Sequence, residues 1–171
     1  MPTFNFSLDA NLSQAVYSSN NSNTSPIISG WQPIQINWES HNPSATFGAQ
    51  LYVKDGQYKV VYRGTENNLA DWEQNIKYGT FQNSLEFQDT AVFMARAIAA
   101  VSSRESITDV SLAAARITTT GHSQGGFEAE LASVLFGIKG TSLDGMCRNK
   151  GSGLAFCFAH RCAKWQISQI T

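Results

Sequence analysis

The sequence predicts a layered α/β domain, a mostly parallel sheet flanked by helices. Three observations carry that prediction. Residues 47–62 alternate and turn as a β-hairpin does, residues 87–101 carry an apolar stripe at helical spacing, and residues 116–137 read as strand, glycine turn and helix. A strand followed by a helix and then a second strand needs a parallel crossover, which places helices against the faces of the sheet. At 171 residues the chain is long enough for a single domain with one continuous core.

Taken in order, residues 11–17 set Leu12, Ala15 and Val16 on one helical face, so a short packed helix is expected there. Residues 18–25, rich in Asn, Ser and Thr and closed by Pro26, read as a loop, because these side chains compete for backbone hydrogen bonds. Phe47, Ala49, Leu51 and Val53 alternate, Asp55-Gly56 supplies a two-residue turn, and the β-formers of residues 58–62 return as the second strand. That strand runs into Arg63-Gly64-Thr65, and the chain leaves the sheet towards Asp71-Trp72.

Asn83 and Glu86 have the spacing of a helix start, and Phe87, Ala91, Met94, Ile98 and Val101 then recur every three or four residues as a buried face. Residues 116–120 form a β-branched run leading into Gly121. Beyond it Phe127, Leu131, Val134 and Leu135 mark a second amphipathic helix, expected to stop at Gly137.

Composition narrows the function classes. With 42% hydrophobic and 15% charged residues the chain should fold, and a net charge of −1 without a Lys/Arg run argues against a nucleic-acid partner. Residues 1–9 have neither a cationic nor an apolar leader segment, and no stretch approaches a membrane span, so a soluble chain without an N-terminal signal peptide is expected. Three cysteines, Cys147, Cys157 and Cys162, give no complete disulfide framework. Zinc bound by these with His160 lacks the paired Cys-x2-4-Cys spacing, which favours reduced thiols.

The chemistry centres on Gly121-His122-Ser123-Gln124-Gly125, a G-x-S-x-G in which a serine on a tight strand-to-helix turn needs glycines two residues to either side. Composition alone would produce this pattern in roughly one chain in twenty of this length. The β-branched run before it and the apolar helix after it are what distinguish a nucleophile elbow from an ordinary glycine turn.

Together with this motif, residues 60–65 (Val-Val-Tyr-Arg-Gly-Thr), Asp71-Trp72 and residues 117–126 resemble the class 3, fungal-type lipase family and its bacterial relatives. The resemblance spans roughly residues 45–145. It implies the α/β-hydrolase fold and hydrolysis of acyl esters, often of lipids, by a Ser-Asp-His triad without metal or organic cofactor. Ser123 is then the nucleophile, and the backbone N–H groups of Thr65 and Gln124 form the oxyanion hole. Gln124 departs from the family's usual Leu, a change that keeps the N–H and makes the side chain a candidate for setting substrate preference. Thr65 also reads simply as a strand terminator.

A serine nucleophile needs a histidine base and a carboxylate to orient it. His122 adjoins Ser123 and in the family packs rather than acts as base, while His41 stands in a loop ahead of the hairpin. Asp144 and His160 give the order Ser123, Asp144, His160 expected of the fold, at shorter spacing than in class 3 lipases. Asp144 would follow the strand after the nucleophile helix, as in pancreatic-type lipases, and it equally fits a turn before Gly145. Residues 147–171 hold every cysteine and a basic bias and depart from the family, which suggests a truncated, frameshifted or rearranged end and a parallel sheet lacking strands.

Two readings of different class follow. One is a serine carboxylic-ester hydrolase acting on an acyl-ester or lipid substrate; the other is a catalytically impaired hydrolase-like fragment serving as a binding or vestigial module. Peptidase or thioesterase chemistry on the same elbow differs from the first only in substrate.

Overall fold

The computed structural model describes residues 6–18, 26–36, 47–64 and 84–143. In chain order they form α1 (Phe6–Ser18), β1 (Gln32–Ile34), β2 (Ala49–Lys54), β3 (Gln57–Tyr62), α2 (Ser84–Glu105), α3 (Val110–Ala114), β4 (Ile117–His122), α4 (Gln124–Phe136) and β5 (Lys139–Leu143). The strands make one sheet in the order β1-β2-β3-β4-β5.

The first two pairings are antiparallel and the last two parallel, so the described sheet is evenly mixed rather than mostly parallel. The hairpin is the reason. Asp55 and Gly56 both take positive φ, 49° and 71°, the turn whose twist matches paired strands, and it locks β2 against β3 in the register Lys54↔Gln57. Short β1 then extends the antiparallel half, with Gln50 Nε2 donating to the Ile34 carbonyl at 2.7 Å. No sequence pattern had singled out β1 or the five-residue α3, which Asp109 caps by accepting from Ser111 N.

β3 is covered on both sides. Tyr58, Val60 and Tyr62 join Phe93, Met94, Ala97, Ile98 and Val101 of α2 and Ala129 and Ala132 of α4 in the larger core. Rings of Phe47, Tyr62 and Phe93 meet in tilted or edge-to-face pairs, with centroids 6.2–6.4 Å apart. On the other face Val61 and Tyr52 pack with Leu12 and Val16 of α1 and with Trp31. The α1 stripe thus agrees with its spacing.

One expected face departs at a single residue and another is rotated; Met94, Ile98 and Val101 of α2 are buried as expected. Phe87, at the start of the α2 stripe, is 47% exposed, and the buried face runs through Phe93, Met94, Ala97, Ile98 and Val101. In α4, Val134 and Leu135 are 47% and 45% exposed, Phe127 and Leu131 are half-buried, and the sheet-facing side is Gln124, Gly125, Gly126, Glu128, Ala129, Ala132 and Ser133. A helix that must approach the sheet closely presents its small residues to it. Its stop at Gly137 is as expected, with φ 64°.

α1 is held by charge as well as by apolar contact. Lys59 Nζ on β3 meets Asp9 Oδ1 at 2.5 Å, both side chains buried, with the ammonium 5.9 Å from the Trp31 ring centroid. At the end of the sheet away from Ser123, Tyr58 donates to Glu105, which also accepts from Arg116 at 3.0 Å.

Removing one member of a buried pair strands the other charge. Lys59→Met is expected to cost about 3–5 kcal/mol by denaturant unfolding, and the double change Asp9→Leu with Lys59→Met to recover most of it. A second test concerns Glu130 on α4, whose carboxyl is pushed from 4.5 up to about 7 by burial, the Ser142 hydroxyl on β5 opposing the shift. The folded protein therefore holds this proton more tightly than the unfolded chain. Stability from the group is complete below 4.5 and is lost as pH rises through about 7. Melting temperatures should show Glu130→Gln gaining on the wild type between about pH 5 and about pH 8.

Candidate functional site

Ser123 sits at the carboxyl end of β4 and immediately before α4, where open α/β sheets bind ligands. Its φ of 58° and ψ of −122° are positions that an L-residue adopts only under constraint, at a cost of about 1–3 kcal/mol. Two contacts impose them. A Cβ on Gly121 would lie 2.1 Å from the Gly125 carbonyl oxygen, and one on Gly125 would lie 2.3 Å from the Tyr62 carbonyl oxygen at the end of β3. Both positions exclude any side chain, because the obstructing atoms are backbone.

Three backbone hydrogen bonds tie the turn. Ser123 N donates to the Leu143 carbonyl at 2.9 Å, which joins it to the end of β5. Its own carbonyl accepts from Gly126 N and Phe127 N at 3.0 and 3.3 Å, closing the first turn of α4. Its half-buried side chain makes no capping bond to that helix. Gln124 occupies the first helical position, at the positive end of the helix dipole.

The Gln124 side chain turns inward. It is 4% exposed, and its amide donates to Glu128 Oε1, one turn on, at 3.4 Å. The side chain is therefore directed into the fold rather than towards solvent. Glu128 is itself buried beneath the turn, and burial first, then the Glu128 charge, push the Tyr62 phenol well above its ordinary 10. The Tyr62 hydroxyl has no hydrogen-bond partner among the described residues. Glu128 escaped the sequence reading, which took Phe127, Leu131, Val134 and Leu135 as the buried face of α4.

His122 is exposed, and its Nδ1 lies 3.3 Å from the Tyr17 hydroxyl of α1. Thr65, Asp144 and His160 lie outside the described residues, as do His41, Asp71-Trp72, Cys147, Cys157 and Cys162. The chain is nonetheless described up to the residue before Thr65 and the residue before Asp144. Gly64 reaches the elbow, where a Cβ would lie 2.6 Å from the His122 carbonyl oxygen, and Leu143 bonds to Ser123 N. Among the described residues no group of three or more His, Cys, Asp or Glu is arranged to hold a metal ion.

A family model described as phospholipase-like, a Tle-like phospholipase domain, matches residues 8–146. The chain belongs to this family. The match takes in almost all of α1 and every later element of the sheet and its helices. Membership in the Tle-like family implies an α/β-hydrolase-like fold, in keeping with the mixed sheet and packed helices. It also revises the resemblance drawn from motifs: the family is phospholipase-like, and not specifically the fungal class 3 lipases. No curated protein matches the chain. No helix among the described residues is long and apolar enough to cross a membrane.

Close packing at the turn predicts intolerance to a single methyl group. Gly125→Ala in this Tle-like domain should lose about 3 kcal/mol or more, since the Cβ meets backbone that cannot rotate away. Chemical denaturation beside the exposed change Val134→Ala, expected within about 0.5 kcal/mol, checks that the effect belongs to the turn.

Proposed function

We propose that the chain is a lipolytic serine ester hydrolase that cleaves acyl esters of phospholipids. The observation that carries this reading is the constrained serine: Ser123 holds φ 58° at a strand-to-helix turn whose glycines are obligatory, with a hydroxyl not spent on capping the helix. Membership in the phospholipase-like family supports a lipid ester over a peptide.

In this reading Ser123 Oγ attacks the ester carbonyl, His160 takes its proton, and Asp144 orients the imidazole. The tetrahedral oxyanion accepts from the backbone N–H groups of Gln124 and Thr65, each such donor contributing on the order of 3–4 kcal/mol in the transition state. His160 then protonates the departing alcohol, and water releases the fatty acid from the acyl-serine by the same route. Two features support these assignments. Leu143, one peptide bond before Asp144, is bonded to the Ser123 amide, and Gly64, one peptide bond before Thr65, packs on the His122 carbonyl. This is the class 3 lipase chemistry that the motifs suggest, applied to a phospholipid.

The test is labelling with a fluorophosphonate read by intact mass, beside fatty-acid release from phosphatidylcholine vesicles. Stoichiometric labelling is expected in the wild type and none in Ser123→Ala, with turnover in that variant reduced by roughly 10⁴–10⁶. Loss of labelling in His160→Ala would locate the base. Folded wild-type protein that takes no label and releases no fatty acid would sink the reading and leave the catalytically impaired module.

A further inference from the structure

One side chain from the opposite layer of the fold reaches the elbow. Tyr17 lies in the last turn of α1, on the face of the sheet away from α4. Its hydroxyl is 3.3 Å from His122 Nδ1, and the two rings meet edge to face with centroids 6.4 Å apart. That hydroxyl also closes over Gly64, where a Cβ would lie 2.0 Å from it. Tyr17 thus touches the residue before Ser123 and the residue before Thr65 at once.

The place matters because the β-ladder stops just short of it. The register of β3 with β4 runs to Tyr62↔Gly121, one residue before His122 and two before Gly64. The oxyanion donors in the reading above leave from those two points, one on each chain. Two N–H groups on separate segments serve one oxygen only while their separation holds to a fraction of an ångström.

We propose that Tyr17 is a positioning residue for the oxyanion site, bracing Gly64 against His122 where strand pairing ends. The proposal rests on the ester-hydrolase reading. In this scheme Tyr17 does not act on the substrate directly; it acts through the Gly64 backbone and the His122 ring that it joins.

Matched oxo-ester and thiono-ester substrates test it, because a thiono sulfur is a poor acceptor and gains little from an aligned oxyanion hole. Tyr17→Phe keeps the ring and deletes the hydroxyl. It is expected to lower kcat on the oxo-ester about tenfold with KM within about twofold, while the thiono-ester rate changes little. The oxo-to-thiono preference should narrow accordingly, and His122→Ala, which removes the other end of the contact, should narrow it too. Equal losses on both esters that follow the folded fraction would reduce Tyr17 to a packing residue and overturn the proposal. So would an unchanged preference in both variants of an active enzyme. A wild type that hydrolyses neither ester and takes no fluorophosphonate would instead overturn the ester-hydrolase reading, and this one with it.

Discussion

The rest of the structure depends on the close approach of three backbones at the β4–α4 turn. The Tyr62 carbonyl of β3, the Gly125 backbone of α4 and the Gly121 backbone of β4 come so near one another that neither glycine has room for a Cβ. That contact sets the distance of α4 from the sheet, and the composition of the helix follows. Its inward side is Gly125, Gly126, Ala129, Ala132 and Ser133, while Val134 and Leu135 are left towards solvent. Gly140 on β5 continues the same constraint, since a Cβ there would lie 2.4 Å from Ser133 Oγ. Close packing therefore takes precedence over burial of the largest apolar side chains in this helix.

The opposite face solves a different problem. β3 alternates its side chains between two covered faces, and one of those pointing to α1 is a lysine. Burial of Lys59 is tolerable only because Asp9 and the face of Trp31 stand beside it. The pair does not add great stability over an apolar contact, but it admits few alternative seatings of α1, because any slide along the sheet separates the charges. A helix seated in this way can present Tyr17 at a defined point, the carboxyl ends of β3 and β4.

Local signals made much of this fold legible in the sequence, and non-local ones did not. The hairpin followed from alternation around Asp55-Gly56, α1 from Leu12, Ala15 and Val16, and the elbow from glycines two residues either side of Ser123, because each pattern reports a contact or a dihedral set nearby in the chain. The faces of α2 and α4 were misjudged at Phe87, Val134 and Leu135 because apolar periodicity assumes that the largest residues lie inward. In α4 the inward direction is chosen by Gly125 meeting Tyr62, a partner 63 positions earlier in the numbering. The mixed sheet was misjudged for a related reason, as β1 is three residues long and is defined by its pairing with β2 rather than by its own composition. Tyr17 left no sequence signal at all, since its partners Gly64 and His122 are joined to it only through the assembled sheet.

The backbone of Ser123 runs against what conformational energy alone would choose there. At φ 58° and ψ −122°, glycine is the residue that conformational energy favours, and serine there forfeits about 1–3 kcal/mol out of a total stability of only about 5–15. As a connection alone the turn would be better served by glycine, which reaches positive φ without a Cβ penalty. The fold therefore gives serine no conformational advantage at this position, whereas the neighbouring glycines are fixed by the backbone packed against them.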